Sequence, residues 1–277
     1  MPSLLCLVAH PDDETILCGG TLALLSARGV AVHVVCLTRG EGGELGEPPL
    51  TTREQLGAVR EQELVCAVQA LGGKSLTFLG YIDPPIGPDG TLSAPEHNPV
   101  MLAGQIVNCI QQFRPDVVLT HGSNGEYGHP AHVLMHAMTR AAVAALVEEK
   151  AEHVPAFYSF AATYPDHPYP RLSNPDDPAD WVVDVTTVLD RKEAAALCHR
   201  TQTALFVRRR SQQAGRSLTV REVLLTREAF RRHWPGTEPD VLREWVDGYV
   251  HDRRPTTAGS DSPSVVVSLP SESDAAN

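Results

Sequence analysis

The segment LLCLVAHPDDETILCGG, residues 4–20, places charged side chains directly after an apolar run. Residues 4–9 have the composition of a buried β-strand. A histidine, a proline, two aspartates and a glutamate follow at once, and a helix-like pattern then continues to Gly29. The segment therefore predicts a strand, a turn that carries three carboxylates, and a helix.

The same alternation continues through the first 150 residues. Strand-like runs occupy 4–9, 32–38, 76–81 and 116–121, and helix-like segments occupy about 14–28, 51–71, 99–113 and 131–149. Continuous apolar strands are typical of a sheet covered on both faces, and repeated β–α–β units are right-handed and parallel. We therefore predict an α/β fold, a Rossmann-like three-layer sandwich with a mostly parallel sheet.

The second half is less regular. It is predicted to contain an inserted loop, a late strand and a helix, at 163–180, 181–185 and 189–206 respectively. Segment 191–232 holds eleven Arg or Lys against three Glu. We interpret it as a solvated helical face, with a rim that meets an anionic substrate as the alternative. Residues 1–255 are predicted to form one domain, its C-terminal part, 191–255, helical and basic, and the Ser/Pro-rich residues 256–277 to form a disordered tail.

Charge and composition exclude several classes of protein. The formal net charge of -11 argues against nucleic-acid binding, which needs a basic surface. Apolar runs all fall short of the roughly 18 residues that a membrane span needs. The N-terminus lacks the basic region of a signal peptide, and the six scattered cysteines contain no CxxC, so we expect a cytoplasmic protein with reduced, mostly buried thiols.

Polar residues follow each of the first four predicted strands. They lie in HPDDE (10–14), TRGEGGELGE (38–47), IDPPIGPDG (82–90) and HGSNGEYGHPAH (121–132). Ligands of open parallel sheets bind outside the carboxyl ends of the strands, so these loops are expected to converge on one crevice. Carboxylates in the first turn would repel the phosphate of a nucleotide.

The first turn offers a histidine and carboxylates, and it is expected to face His121, His129 and His132. Such a set of side chains suits a divalent metal rather than a phosphate. Adjacent aspartates point to different sides, so one can bind the metal while the other faces a metal-bound water. Three protein ligands and an open position are typical of catalytic zinc. Taken alone, HPDD could be a helix N-cap and HPAH a helix start with proline in the first turn. Their joint position at strand ends favours the metal. The remaining histidines are interpreted as surface or core residues: His33, His97, His136, His153, His167, His233 and His251.

Two motifs together carry a resemblance to a known family. AHPDDE (9–14) and NGEYGHPAH (124–132) resemble the LmbE-like, or PIG-L-like, zinc N-deacetylases. Weaker matches are TRGEGGELG (38–46), LGAVREQEL (56–64) and KEAAALCHRTQ (192–202), so the resemblance covers about residues 3–205. It implies an LmbE-like fold and hydrolysis of the N-acetyl group of an N-acetylglucosaminyl conjugate by attack of zinc-bound water, which releases acetate and a free amine.

The resemblance also implies roles for single residues. His10, Asp13 and His132 would bind Zn²⁺, and Asp12 would be the general base. His129 would be the charged or proton-donating group beside the oxyanion, and Tyr127 would reach the substrate carbonyl. The sugar would contact Arg60 and Glu44. Glu14 is interpreted as structural, because acidic residues suit the first turn of a helix.

Three points stay open in the sequence. Ala131 stands where the family usually has Asp, which removes no ligand but changes the surroundings of His132. The N/O ligand set accepts Fe²⁺ as well as Zn²⁺. The alternatives to a deacetylase are an amidase of the same family, which would remove a larger acyl group, and a metal- or sugar-binding protein without turnover. The expected partner is a small N-acetylated sugar conjugate, and the resemblance implies a homo-oligomer of three or six copies.

Overall fold

Strands that alternate with helices build residues 1–252, the part of the chain that the computed structural model describes. The strands are β1 Ser3–Val8, β2 Ala31–Thr38, β3 Ser75–Tyr81, β4 Val117–Thr120, β5 Ala156–Phe160, β6 Ala162–Thr163, β7 Asn174–Pro178, β8 Trp181–Asp184, β9 Arg227–Trp234 and β10 Val250–Asp252. The helices are α1 Asp13–Ala27, α2 Leu56–Leu71, α3 Pro99–Phe113, α4 Gly125–Gly128, α5 Pro130–Glu148, α6 Leu189–Cys198, α7 Arg200–Ala214, α8 Val220–Val223 and α9 Val241–Trp245.

Eight of these strands form one sheet, in the order β10-β8-β9-β5-β4-β1-β2-β3. The five strands from β5 to β3 are parallel, and β9 runs antiparallel to both β5 and β8. The predicted α/β fold with a mostly parallel sheet is therefore confirmed. Strand order reverses at β1, which lies between β2 and β4, and such a switch point is where an open parallel sheet leaves a crevice for a ligand.

The two faces of β1 supply two separate cores. Leu4, Cys6 and Val8 pack with α1, α2 and α6, whereas Leu5 and Leu7 pack with α3 and α5. Every residue of β1 is buried because helices cover both faces, and each fully buried leucine contributes about 1.5–3 kcal/mol. This packing holds the end of β1 rigidly in the middle of the sheet.

The second half departs from the sequence-based expectation in two places. The helix predicted over 189–206 is two helices, because the chain bends at His199, whose ring is hydrogen-bonded to Glu14. The predicted loop 163–180 contains β7, which pairs with β6. Strands β5 and β9 were not predicted. The expected tail, 256–277, lies outside the described residues.

Two of the six cysteines are not the reduced thiols that were expected. Cys66 in α2 and Cys198 at the end of α6 form a disulfide, with their Cα atoms 5.7 Å apart. They are separated by 132 residues, so only the packing of α6 on α2 reveals the pair. The other four cysteines are buried free thiols, as expected.

One helix among residues 1–252 is long and apolar enough to cross a membrane, by length and composition only. It is α5, with a mean hydropathy of 1.2 over its most apolar window. Half of that window is buried in the fold, where α5 packs against α3 and the sheet. Burial of this kind is typical of a core helix.

Many basic residues of segment 191–232 have partners inside the fold. Lys192 is fully buried against Glu228, and Arg191 donates to three main-chain carbonyls. At the surface, Arg221 contacts Asp190 and Glu193. The segment is therefore neither a continuous basic surface nor, as was predicted, one solvated helical face, because residues 227–232 lie in β9 and Lys192 is buried.

Candidate active site

The chain turns sharply after β1, and the turn separates the two aspartates of HPDD. Asp12 adopts a φ of +119°, a conformation that costs an L-residue about 1–3 kcal/mol. Its N–H donates to Glu14 Oε2 at 3.0 Å, and Asp13 begins α1. The Asp13 carboxylate therefore reaches the histidines, whereas the Asp12 carboxylate reaches Arg60.

The three predicted metal ligands meet at this turn. His132 Nε2 lies 3.3 Å from His10 Nδ1 and 3.3 Å from Asp13 Oδ1, and Asp13 Oδ2 lies 3.4 Å from His10 Nδ1. All three residues are buried. Donors about 2.1 Å from a tetrahedral Zn²⁺ would be about 3.4 Å apart, so these spacings, in which Asp13 presents a different oxygen to each histidine, fit donors that surround one cation.

Each histidine of this trio has a carboxylate at its other nitrogen. Glu126 Oε2 accepts a hydrogen bond from His132 Nδ1 at 2.6 Å, and Asp83 Oδ1 lies 3.3 Å from His10 Nε2. Carboxylates in this position orient metal-binding imidazoles and make them more basic. Neither Glu126 nor Asp83 was assigned a role from the sequence, although both lie in loops that were expected to converge.

His121 completes the interior of the cluster. Its Nδ1 lies 2.9 Å from Glu126 Oε2, and its Nε2 lies 3.0 Å from the main-chain nitrogen of Ala9 and 3.5 Å from Asp13 Oδ2. Ala9 N–H donates to Nε2, so Nδ1 carries the ring proton. His121 therefore connects the ends of β1 and β4, a role that was not predicted for it from the sequence.

The two buried carboxylates are held in the ionised form. Burial alone would raise the pKa of Asp13, but His132 and His121 bring it well below its usual value. Burial likewise opposes ionisation of Glu126, and His121 and His132 lower its pKa in the same way. Two anionic groups among imidazoles give the cluster the charge that a divalent cation requires.

His129 lies beside this cluster as the N-cap of α5. Its Nδ1 accepts a hydrogen bond from Ala131 N–H at 3.2 Å, so Nε2 is the nitrogen that can carry a proton. Burial, together with His10 and His132, lowers the pKa of His129 to about 3. The ring is therefore neutral at pH 7 and can donate a hydrogen bond through Nε2–H.

Arg60 holds the second aspartate from behind. Its guanidinium is buried and donates to the carbonyls of Pro11 and Gly40, and Nη2 lies 3.3 Å from Asp12 Oδ2. Burial raises the pKa of Asp12 to about 7, and Arg60 opposes that rise. A Cβ on Gly40 would lie 2.2 Å from Arg60 Nη1, so the close approach requires glycine there.

Tyr127 and Glu44 are more exposed than the three donors. Tyr127 is half-exposed, and its ring centroid is 5.6 Å from those of His129 and His132. Glu44 is half-buried, its carbonyl accepts from Gln202 Nε2 at 2.8 Å, and its carboxylate is 3.9 Å from Arg208.

A buried pair behind the turn explains two more sequence features. Glu14 Oε1 lies 2.9 Å from His199 Nε2, while Glu14 Oε2 accepts the Asp12 N–H. Both side chains are fully buried. Glu14 therefore secures the turn that orients Asp12, as a structural residue, and the bend at His199 brings this ring to it.

Comparisons with known proteins agree on one family. The model described as "PIG-L: GlcNAc-PI de-N-acetylase" matches residues 5–143. A 1D-myo-inositol 2-acetamido-2-deoxy-alpha-D-glucopyranoside deacetylase from Mycolicibacterium smegmatis is 34% identical, over 87% of this chain and 96% of its own. The enzyme of the same name from Acidothermus cellulolyticus is 35% identical, over 73% and 80%.

Solved structures share the fold. The N,N'-diacetylchitobiose deacetylase of Pyrococcus horikoshii has a TM-score of 0.54 and 21% identity, covering 83% of each chain. GalB of Pseudomonas putida, a 4-carboxy-2-hydroxymuconate hydratase, has a TM-score of 0.58 and 23% identity, covering 87% of this chain and 99% of its own. Because a hydratase and a deacetylase share this architecture, the reaction has to be argued from the site and from the sequence relatives.

Proposed function

The chain belongs to the PIG-L family of de-N-acetylases, and from that premise we propose that it removes the acetyl group from an N-acetylglucosaminyl conjugate. The observation that carries this proposal is the grouping of His10, Asp13 and His132 within 3.4 Å, with Asp12 beside them. The products are acetate and a free amine.

His10, Asp13 and His132 are the residues that would hold Zn²⁺, through Nδ1, a carboxylate oxygen and Nε2 respectively. The two nitrogens and one oxygen also accept Fe²⁺. When bound, such a cation polarises the amide carbonyl and lowers the pKa of water toward 7.

Asp12 is the general base of the proposed reaction. Its side chain is 15% exposed, and Arg60 holds one of its oxygens at 3.3 Å. A carboxylate with a pKa near the working pH is suited to accept the proton of the attacking water, and Asp12 would do so as the new C–O bond forms.

His129 is the proposed donor to the oxyanion. It is neutral, and its proton is on Nε2, so it can stabilise the negative oxygen by a hydrogen bond without carrying a charge. Tyr127 would add a second donor. Such donors typically contribute about 3–4 kcal/mol each. Asp12, which has taken the proton of the attacking water, then delivers it to the leaving nitrogen as the C–N bond breaks.

The sugar and its aglycone would lie on the exposed side of this group. Glu44 is the proposed sugar contact. Arg60, to which the resemblance also assigns the sugar, has its guanidinium bound to Pro11, Gly40 and Asp12, and we propose that it positions Asp12. Relatives named as deacetylases of an inositol conjugate make inositol the first aglycone to test. Cytoplasmic location and assembly into three or six copies belong to the same proposal.

Acetate release from a panel of N-acetylglucosaminides, with added Zn²⁺, tests the function. We expect release by the wild type and loss of most turnover in Asp12→Asn, while the variant keeps its metal. Near-full activity of Asp12→Asn would refute the assignment of the base.

The same panel separates the alternatives. Release of longer acyl groups in preference to acetate would identify an amidase. No release from any acylated sugar, with the metal bound, would indicate a binding protein without turnover.

A further inference from the structure

Three side chains that the proposed reaction does not use converge on another part of the fold. They are His136 in α5, Asp177 in β7 and His233 in β9, and one ligand atom of each lies within 4.8 Å of the other two. His136 and Asp177 are buried, and His233 is half-buried. None of them is a member of the first trio of donors.

A main-chain carbonyl determines which nitrogen of His136 carries the proton. His136 Nδ1 lies 2.9 Å from the carbonyl oxygen of His121. A carbonyl only accepts, so Nδ1 must donate, and the lone pair of the ring is on Nε2. Metal-binding histidines typically have their other nitrogen bound in this way.

A β-bulge sets the position of His233. Phe157 pairs with Trp234, but the next residue, Tyr158, pairs with Arg232, so His233 is the extra residue of β9. Bulges are frequent next to functional sites, where they redirect a side chain. Ser159 Oγ lies 2.9 Å from His233 Nε2 and holds the ring. The nitrogen that remains for a metal ion is Nδ1.

Ser123 donates a hydrogen bond to each carboxylate oxygen of Asp177. Its Oδ2 accepts the N–H of Ser123 at 2.7 Å, and its Oδ1 accepts the Ser123 hydroxyl at 3.0 Å. Each oxygen keeps a second lone pair for a further ligand. Burial lowers the pKa of His136, and lowers that of His233 to about 4, so Asp177 faces two neutral imidazoles.

We propose that His136, Asp177 and His233 form a second binding site for a divalent transition-metal cation. Two imidazole nitrogens and one carboxylate oxygen select zinc-like cations over Mg²⁺ or Ca²⁺, which prefer oxygen ligands alone. A cation here would connect α5, β7 and β9. It would also stabilise residues 121–123, which contact His136 and Asp177, at the start of the loop that leads to His129.

Metal stoichiometry tests this site without reference to activity. Chelator-treated protein is titrated with Co²⁺ and followed by visible absorption, and bound metal is counted after gel filtration. We expect two equivalents for the wild type and one for each of His233→Gln and Asp177→Asn, which keep the size of the side chain. His97→Gln, a histidine outside both clusters, should bind two.

The catalytic-site variant His132→Ala provides the complementary measurement. It should keep one equivalent, and Zn²⁺ should still raise its Tm, because binding to the native state alone stabilises it. Two equivalents in both His233→Gln and Asp177→Asn would overturn the proposal, and so would no metal in His132→Ala. Failure of the proposed deacetylation would leave these counts unchanged.

Discussion

Glu126 Oε2 and His132 Nδ1 are joined by a 2.6 Å hydrogen bond in which the imidazole donates to the carboxylate. Both side chains are buried, so neither can turn to solvent. The bond places the proton of His132 on Nδ1 and presents the lone pair of Nε2 to His10 and Asp13. Glu126 thus determines the orientation of His132. The family usually has an aspartate between the two histidines, and this chain has Ala131 there, so the carboxylate that orients His132 comes from Glu126.

We expect Glu126→Gln to weaken metal binding by about 10–100-fold, the usual effect of removing an orienting carboxylate. Glutamine has the size of glutamate, so the fold should be retained, but it lacks the negative charge that orients His132. Competition with a chelator measures the affinity. Glu148→Gln, at the exposed end of α5, is the matched control. Unchanged affinity in Glu126→Gln would show that His132 does not need this partner.

Arg60→Met distinguishes a positioning role from a sugar contact. The guanidinium binds Asp12 and the carbonyls of Pro11 and Gly40, so we expect kcat to fall at least about 10-fold with little change in KM. Such a fall is part of the 10²–10⁴-fold that a positioned general base supplies. Steady-state kinetics on one N-acetylglucosaminide measures both constants. Arg39→Met, which removes a half-exposed arginine paired with Glu61, is the control. A rise in KM alone would favour the sugar contact.

Lys192→Met should destabilise the fold by about 3–5 kcal/mol, because it leaves the buried carboxylate of Glu228 without its cation. Lys192 Nζ and Glu228 Oε1 are 2.7 Å apart, and the carboxylate also accepts the N–H groups of Gly20 and Thr21 within α1. Urea unfolding measures the loss.

The double variant Lys192→Met/Glu228→Gln should be more stable than Lys192→Met, since it removes the unpaired charge. Arg221→Met, which breaks an exposed ion-pair network, should leave the urea midpoint almost unchanged. A Lys192→Met protein as stable as Arg221→Met would contradict the buried-pair argument.

His167 makes stability depend on pH. Burial lowers the pKa of His167 to about 4, and nearby Arg210 acts in the same direction. Nδ1 of the ring accepts a hydrogen bond from the Tyr169 N–H. Between pH 6.5 and 4 the unfolded chain therefore binds a proton that the folded chain excludes, so the free energy of unfolding falls as the pH falls.

For His167 that fall is at most about 3 kcal/mol. His167→Gln should reduce it, measured as the difference between urea unfolding at pH 7 and pH 4.5. Other buried histidines titrate in the same pH range in both proteins. The variant is therefore compared with the wild type at each pH, so that their contribution cancels. Equal pH dependence in the two proteins would contradict the depressed pKa of His167.

Local patterns predicted the first half of the fold well. The runs that became β1, β2, β3 and β4 are continuous and apolar, and the helices between them end at glycine or before proline. On the antiparallel side, the late strand predicted at 181–185 is β8, but β9, REAFRRHW, was missed because it alternates poorly and carries three arginines. It forms a strand because β5 and β8 pair with it on both sides. The bend at His199 was missed because it also depends on a distant contact: its partner, Glu14, is 185 residues away in the sequence.

By itself the sequence determined which reactive side chains are available at two places in the chain. A histidine and two aspartates lie in the turn after β1, and two more histidines lie at the start of α5. Those relations span a few residues, and backbone geometry alone fixes them. The tertiary structure decided which donors meet, that Glu126 orients His132, that Arg60 holds Asp12, that Cys66 bonds to Cys198, and that His136, Asp177 and His233 share one place. Each of these contacts depends on strand order and helix packing, which arise from the burial of the whole apolar surface rather than from any short segment.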